Sequence, residues 1–216
     1  HSKEHNYDVL VEDLYQFIIK NDLKDPCIIG HSMGGKALIF FALKYPQFLK
    51  KMIVVDISPR SYKSLLEHEP HALEIMNIMN ALLSVNIDAL KSREDADLQL
   101  SALIKDKGLR AFLLKNLQRN ENNTFRWCFN LEVLNKNLPK IMDGMDPEKN
   151  YPVCTTDTLF IKGERSDYIL EKDKKMISQY FPNAIIESIK DAGHWLHAEK
   201  PAEFIGVVRK FLDGEK

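Results

Sequence analysis

The sequence predicts an α/β fold: a mostly parallel β-sheet flanked by helices, with an inserted helical cap. Short apolar runs rich in β-branched residues alternate with amphipathic helical patterns at both ends of the chain. In the middle, apolar residues recur at helical spacing and no run has the pattern of a buried strand. We therefore expect the first part of the sheet core in 1–62, a helical cap in 63–150, and the C-terminal part of the core in 151–216.

The first segment has the pattern helix, strand, helix, strand. Apolar residues at helical spacing predict a helix over 7–20, with Asn6 as its candidate N-cap. The apolar run 26–30 is too short for a helix and predicts a buried strand, as does the β-branched run 52–55. Between these strands, 34–45 predicts a helix that a proline ends.

The same alternation returns near the C-terminus. The run 158–161 predicts a strand that ends at a glycine, and 184–189 predicts another. The stretch 171–180 predicts a helix between them. A last helix is indicated by apolar residues at helical spacing, namely Phe204, Val207, Val208 and Phe211.

Composition and charge exclude several classes of protein. Hydrophobic residues make up 44% and charged residues 28% of the 216, which is typical of a globular chain and excludes collagen-like or largely disordered sequences. The net charge of −1 gives no general attraction to nucleic acid or anionic membrane, and no apolar run is long enough to span a membrane. Cys27, Cys128 and Cys154 are far apart and form no CxxC pair, so we expect reduced thiols in an intracellular location, with no disulfide framework or zinc site.

A catalytic motif follows the first predicted strand. Gly30-x-Ser32-x-Gly34 is the nucleophile-elbow pattern of α/β-hydrolases, a tight strand-to-helix turn with the serine at its apex. Glycines two residues before and two residues after the serine are expected to remove side chains that would clash in the turn. The backbone N–H of Met33, directly after the serine, is then the candidate donor to an oxyanion.

Seven histidines are candidates for the general base, and His194 is favoured. It lies just after the last predicted strand, at the edge where an open parallel sheet places its active site. It also satisfies the chain order of serine followed by a late histidine. His197 and His31 are the nearest rivals, and we expect both to have structural roles.

The acid that orients the histidine has two candidates. Asp56 ends the strand after the elbow helix, and a buried aspartate there is costly unless it is paired. Asp167 lies in the loop after the strand that ends at Ile161, one residue beyond the usual acid position, where this chain has Ser166. We favour Asp56, with Asp167 as the alternative.

Several segments together carry a family resemblance. The run GHSMGGKALIFFALKYPQFLKKMIVVDISP (30–59) and the run AGHWLHAEKP (192–201) resemble α/β-hydrolase esterases of the YbfF type and their mitochondrial relatives, the proteins like abhydrolase domain-containing protein eleven. The resemblance implies the α/β-hydrolase fold with a helical cap, and a serine hydrolase that uses Ser32 and His194. It also implies that Asp56 supplies the acid, because members carry serine at the usual acid position. Members of this family begin with further strands and a His-Gly loop that donates a second oxyanion amide, so N-terminal strands are expected to be missing from this chain.

The combined expectation is hydrolysis of short-to-medium acyl esters or thioesters through an acyl-enzyme, without metal or organic cofactor. The expected partner is such a small substrate, with no nucleic acid and no membrane span, in the cytoplasm or mitochondrion. The alternatives are a C–C bond hydrolase on the same fold and a catalytically weak interaction protein. The cap supplies aromatic and methionine side chains as candidate walls of an acyl pocket: Phe125, Trp127 and Phe129, with Met76 and Met79.

Overall fold

Helices and strands alternate at both ends of the chain, whereas its middle is mainly helical. The computed structural model describes residues 4–62, 70–146 and 148–214, and the side chains of the helix that begins at Pro70 from residue 75 onward. The elements, in chain order, are α1 (Tyr7–Lys20), β1 (Cys27–His31), α2 (Met33–Lys44), β2 (Lys51–Val55), α3 (Pro70–Ser84), α4 (Arg93–Ser101), α5 (Lys107–Leu114), β3 (Leu117–Arg119), β4 (Phe125–Trp127), α6 (Leu131–Lys136), α7 (Leu138–Ile141), β5 (Asp157–Gly163), α8 (Lys174–Tyr180), β6 (Ala184–Ile189), α9 (Leu196–Glu199) and α10 (Pro201–Asp213).

Four parallel strands form one sheet in the order β1–β2–β5–β6. Gly30 of β1 is paired with Val54 of β2, and Val55 is paired with Ile161 of β5. Because the strands are parallel, the loops after β1, β2, β5 and β6 all leave the same edge of the sheet. That edge is where an open α/β sheet gathers functional side chains.

Helices cover both faces of the sheet. Because side chains alternate along a strand, Ile53 and Val55 face one side and Val54 faces the other. Ile53 and Val55 are buried in a cluster that includes Val208 of α10. A Cβ atom on Gly35 of α2 would lie 3.2 Å from Val54 Cγ1, so α2 covers the opposite face.

The α/β architecture expected from the sequence is confirmed. Each expected strand of the sheet is present within two residues of its expected ends, and Asn6 caps α1 by accepting a 2.9 Å hydrogen bond from Val9 N. The expected helix over 171–180 begins as a 3-10 turn and is α-helical only from Lys174.

The chain divides into two compact units. The sheet unit comprises Asn6–Ser61 and the chain from Asp143 onward, and the helical unit comprises Tyr62–Met142 with residues 4–5. The expected cap, 63–150, therefore extends eight residues beyond Met142, where the helical unit ends. Residues 143–146 and 148–150 belong to the sheet unit, where Met145 N donates to Pro59 O at 2.8 Å in the segment that follows β2. Residues 63–69 of the expected cap lie outside the described residues.

The helical unit has its own apolar core and one small sheet. Ala81, Leu100 and Leu117 are among its most buried side chains. The sequence predicts no buried strand in this segment, and the residues of the antiparallel hairpin that β3 and β4 form there are mostly exposed or half-buried. Each strand has only three residues, and each carries an arginine, so no apolar run or clear alternation marks them in the sequence.

A charged network lies in the sheet unit. Lys36 of α2 is 1% exposed, and its Nζ donates to the backbone carbonyl of Arg60. Burial, and the nearby positive charge of Arg60, hold the pKa of this lysine well below its usual value. The Arg60 guanidinium pairs with Asp173 (Nε–Oδ1 3.1 Å) and donates to the backbone oxygen of Asp167 at 3.2 Å. The network therefore joins the loop after β2 to the loop after β5.

Candidate active site

The turn between β1 and α2 is a strained one-residue connection. Ser32 alone separates the two elements, and its φ of 53° and ψ of −120° are rare for a residue with a side chain. Its N–H donates to Val55 O at 2.9 Å, and its carbonyl accepts from Lys36 N at 3.0 Å. The neighbouring strand and the first turn of α2 therefore hold the serine backbone on both sides.

The backbones of β1 and α2 approach closely, and this explains the need for glycine at Gly30 but not at Gly34. A Cβ atom on Gly30 would lie 2.5 Å from Gly34 O, and one on Gly35 would lie 2.7 Å from Gly30 O. A Cβ atom on Gly34 would meet nothing within 4 Å. The expectation that Gly30 and Gly34 both relieve a clash is therefore wrong for Gly34. The crowded pair is Gly30 and Gly35, where β1 crosses the first turn of α2.

Two hydrogen-bonding contacts connect Ser32 to His194 and His194 to Asp56. Ser32 Oγ is 3.0 Å from His194 Nε2, and His194 Nδ1 is 2.8 Å from Asp56 Oδ2. An ionised carboxylate can only accept, so Nδ1 carries the proton of the neutral imidazole. Nε2 then has a free lone pair toward the serine hydroxyl, which is the protonation state that a general base needs.

Asp56 is completely buried, and both of its carboxylate oxygens accept hydrogen bonds. Oδ1 accepts a 3.0 Å hydrogen bond from Gly163 N, and Oδ2 accepts from Ser166 Oγ and from the imidazole. The backbone at Asp56 has a φ of 50° and donates its N–H to Ile161 O at 2.8 Å. These donors offset the cost of burying the carboxylate in this site.

Of the two candidate acids, the structure brings only Asp56 to the imidazole. Asp167 is exposed in the loop after β5, where its backbone oxygen accepts from Arg60. Ser166, one residue earlier, lies at the usual acid position and donates to Asp56 instead of accepting from His194. The strand register explains this arrangement, since Val55 and Ile161 are paired and the residues that follow them are adjacent.

His194 is surrounded by aromatic rings. Tyr168 is stacked on its imidazole, with ring centroids 4.2 Å apart, and His31 packs against it at 4.7 Å. His31 Nε2 also donates to the backbone oxygen of His194 at 2.9 Å. His197 lies at 4.7 Å from His31 and does not take part in the series. The stacking of Tyr168 on His194 was not predicted from the sequence. The feature of the sequence that could have indicated it is the position of Tyr168 two residues after Ser166.

Burial changes the titration of both neighbouring histidines. Burial, and the nearby His194, lower the pKa of His31 to about 4. The pKa of His197 is also lowered, first by burial and then by His194. Both rings are therefore neutral near neutral pH, and neither adds a positive charge beside His194.

An oxyanion donor is available at the start of α2. Met33 is its first residue, and the first amides of a helix have no carbonyl partner within the helix. The helix dipole also favours negative charge at this end. The described residues hold no group of three or more His, Cys, Asp or Glu side chains that could bind a metal ion.

The expected substrate-binding aromatics lie in the helical unit. Phe125 is 6% exposed and belongs to the core of that unit, whereas Trp127 and Phe129 are partly exposed and stack with centroids 5.9 Å apart. The three rings line an open cavity of about 340 Å³ together with Leu82, Leu83, Val85, Ile87 and Leu131. Met79 packs partly on the same core, and Met76 is 38% exposed.

The sequence and the fold are similar to those of known esterases and lipases. Residues 1–79 match a family described as alpha/beta hydrolase fold. The chain is 34% identical over 213 residues to the mouse (Mus musculus) protein named sn-1-specific diacylglycerol lipase ABHD11, covering 98% of this chain and 67% of the lipase. It is 29% identical to esterase YbfF of Escherichia coli, over 96% of this chain and 75% of the esterase.

A solved structure shows the same likeness. The structure named marine microorganism esterase has a TM-score of 0.91 and 39% sequence identity, and the match covers 98% of this chain and 79% of that one. This chain thus spans roughly two thirds to four fifths of the length of these three proteins. In the parts of the chain that the structure describes, no helix is long and apolar enough to cross a membrane.

Proposed function

The chain belongs to a family of carboxylic ester hydrolases with the α/β-hydrolase fold, and on that premise we propose that Ser32, His194 and Asp56 form its catalytic triad. The observation that carries the proposal is the continuous series from Ser32 Oγ through the imidazole to Asp56 Oδ2, at 3.0 and 2.8 Å. Three different loops at one edge of the sheet supply these groups, and a geometry of this kind is the one that nucleophilic catalysis needs.

The proposed reaction is acyl-ester hydrolysis in two steps. Ser32 Oγ attacks the ester carbonyl while His194 Nε2 takes the hydroxyl proton, and the resulting imidazolium is stabilised by Asp56. The Met33 N–H donates to the oxygen on which negative charge develops. The imidazolium returns its proton to the leaving alcohol, and a water molecule activated by the same imidazole then releases the acid and restores the serine.

The proposed substrates are short-to-medium acyl esters or thioesters. The names of the relatives support ester chemistry, since they are lipases and esterases. Phe125, Trp127 and Phe129 stay the proposed acyl-binding residues; within the helical unit, Trp127 and Phe129 are partly exposed and Phe125 is buried. An intracellular location, cytoplasmic or mitochondrial, is part of the proposal, because Cys27, Cys128 and Cys154 are far apart in the sequence and have no CxxC spacing.

The test compares Ser32→Ala with Ser178→Ala, an exposed serine of α8. Hydrolysis of p-nitrophenyl esters of increasing acyl length should fall by roughly 10⁴- to 10⁶-fold in the first variant and stay unchanged in the second, as for removal of a serine nucleophile. A fluorophosphonate probe should label the unmodified chain and the Ser178 variant only. If Ser32→Ala keeps most of the activity, the proposal is wrong. A folded chain that neither hydrolyses nor takes the probe favours the interaction protein.

A further inference from the structure

We infer that His31 is a positioning residue that holds the backbone of His194 in register with the nucleophile. The inference rests on the proposed function, because it gives His31 its purpose in the reaction of Ser32 and His194. His31 does not touch the reacting atoms, and it acts through the loop that carries the general base.

The contact joins two distant segments beside the reacting atoms. His31 precedes Ser32 in the chain, and its Nε2 lies 2.9 Å from the backbone oxygen of His194. A carbonyl oxygen can only accept, so Nε2 carries the ring proton of His31. His31, which is adjacent to the nucleophile Ser32, is therefore hydrogen-bonded to His194, which supplies the general base. Rotation or retreat of the His194 loop, which would lengthen the 3.0 Å distance from Ser32 Oγ to Nε2, first has to break this bond.

Ring packing limits how far His31 itself can move. Its ring lies 4.7 Å from that of His194, 4.7 Å from that of His197 and 5.3 Å from that of Trp195. Its backbone belongs to β1, which is paired with β2. The donor is thus held by the sheet on one side and by rings of the acceptor loop on the other, which is the rigidity that a positioning group needs.

The electrostatic environment keeps this donor neutral during turnover. Burial, followed by electrostatic interaction with His194, lowers the pKa of His31 to about 4, although its hydrogen bond to the His194 backbone oxygen and the nearby Asp56 act in the opposite direction. When His194 takes the proton of Ser32, a neutral His31 adds no second positive charge at 4.7 Å. A permanently charged side chain at this position would oppose formation of the imidazolium.

The test uses two replacements that differ in one property. His31→Gln keeps an N–H donor at a similar reach, and His31→Leu fills comparable space without a donor. Misplacement of a catalytic group is costly, so we expect kcat of the leucine variant to fall by about 10- to 100-fold with KM within about twofold. The glutamine variant should keep kcat within about threefold, since it restores the bond. The rate of fluorophosphonate labelling should follow the same order.

Equal losses in the two variants, or no loss in either, would overturn the inference. A thermal melt of each variant identifies any that fails to fold. A measurement on the unmodified chain does not depend on catalysis or on a variant: the ¹⁵N NMR spectrum of the histidine rings. The His31 signal is identified as the one that disappears in His31→Gln. Because the pKa of His31 is about 4, this signal should show the neutral Nε2–H form at any pH well above that value.

A mixture of neutral ring forms for His31 would contradict the inference, because the bond to the His194 carbonyl requires the proton on Nε2. This outcome is separate from failure of the proposed function, which shows itself as an unmodified chain that is inactive and unlabelled. In that case the ring spectrum still decides whether His31 donates to the His194 carbonyl.

Discussion

The buried carboxylate of Asp56 is stabilised by the hydrogen-bond donors around it. Its carboxylate accepts from Gly163 N, Ser166 Oγ and His194 Nδ1, and it is fully shielded from water. An amide at this position has one oxygen acceptor instead of two and presents N–H groups to neighbours that are themselves donors. The imidazole would then be free to adopt the other ring form, with its proton toward Ser32, where it cannot act as a base.

We therefore expect Asp56→Asn to lower kcat for a p-nitrophenyl ester by roughly 10³- to 10⁴-fold, as in other triads that lose the acid. Asp167→Asn is the matched control, since this aspartate is exposed, and its kcat should stay within about twofold. Circular dichroism melts of both variants show whether each is folded. A larger loss in the Asp167 variant than in the Asp56 variant would assign the acid to Asp167 instead.

At the residue scale, the site residues could be predicted where a motif is local, and their catalytic roles stay predictions. Ser32 and Met33 follow from a five-residue pattern, and His194 from its position after the last strand. The acid could not be settled, because the choice between Asp56 and Asp167 depends on which side chain points inward after two paired strands. The donor bond of His31 joins segments more than a hundred residues apart, and the stacking of Tyr168 joins the loop after β5 to the loop after β6; no local pattern marks either contact.

At the scale of elements, the crossing of β1 and α2 determines the shape of the elbow. The strands of the sheet were predictable because buried parallel strands are continuous apolar runs. The hairpin β3–β4 was not, because its three-residue strands carry arginines beside the few buried residues, Leu117 and Phe125. The glycine pattern was predicted only in part, since sequence spacing does not say which glycine faces the opposing backbone.

The two motif glycines should respond differently to the same substitution. Gly30→Ala places a methyl group 2.5 Å from Gly34 O, a backbone atom that cannot easily move, so we expect a loss of about 1–3 kcal/mol or more in the free energy of unfolding. Gly34→Ala meets nothing within 4 Å and lies inside α2, so stability should be unchanged or raised by up to about 1 kcal/mol. Urea unfolding measures both.

A reversed order of stabilities would show that the backbones of β1 and α2 are not in the close contact described here. Gly35→Ala offers an independent check of the same crossing. Its Cβ would lie 2.7 Å from Gly30 O, so it should resemble Gly30→Ala and differ from Gly34→Ala.

For the whole molecule, each of the two units carries its own core and one of the two tryptophans. Trp127 belongs to the helical unit and Trp195 to the sheet unit. Replacement of either tryptophan by phenylalanine leaves a fluorescence signal that reports on one unit alone. The stability of the helical unit can therefore be followed separately from that of the unit that holds the candidate triad.

Arg110 is the group in the helical unit whose removal should have the clearest effect. It is 6% exposed, pairs with Asp97 (Nε–Oδ1 2.7 Å), and donates to the backbone oxygens of Ile104 and Lys105 at 2.9 and 3.0 Å. Arg110→Met leaves these acceptors without their donor, so the free energy of unfolding followed by Trp127 should fall by about 2–3 kcal/mol. Asp97→Asn should cost less than the arginine variant, because the Asp97 side chain is 44% exposed and water screens the ion pair.

The matched pair separates hydrogen bonding from charge. If the arginine and aspartate variants shift the urea midpoint equally, the backbone acceptors contribute little and the ion pair dominates. If the Arg110 variant moves the Trp195 signal as far as the Trp127 signal, the two units unfold as one cooperative body.

Lys36, a buried residue of the elbow helix α2, carries an amine that chemical reagents cannot reach in the folded chain. Acylating and methylating compounds react with uncharged, accessible amines, and Lys36 has a lowered pKa but only 1% exposure. Surface lysines should be modified at once, whereas Lys36 should be modified only in molecules that have opened. The fraction of chains carrying a label at this lysine, counted by mass spectrometry, therefore reports how often the sheet unit unfolds under native conditions.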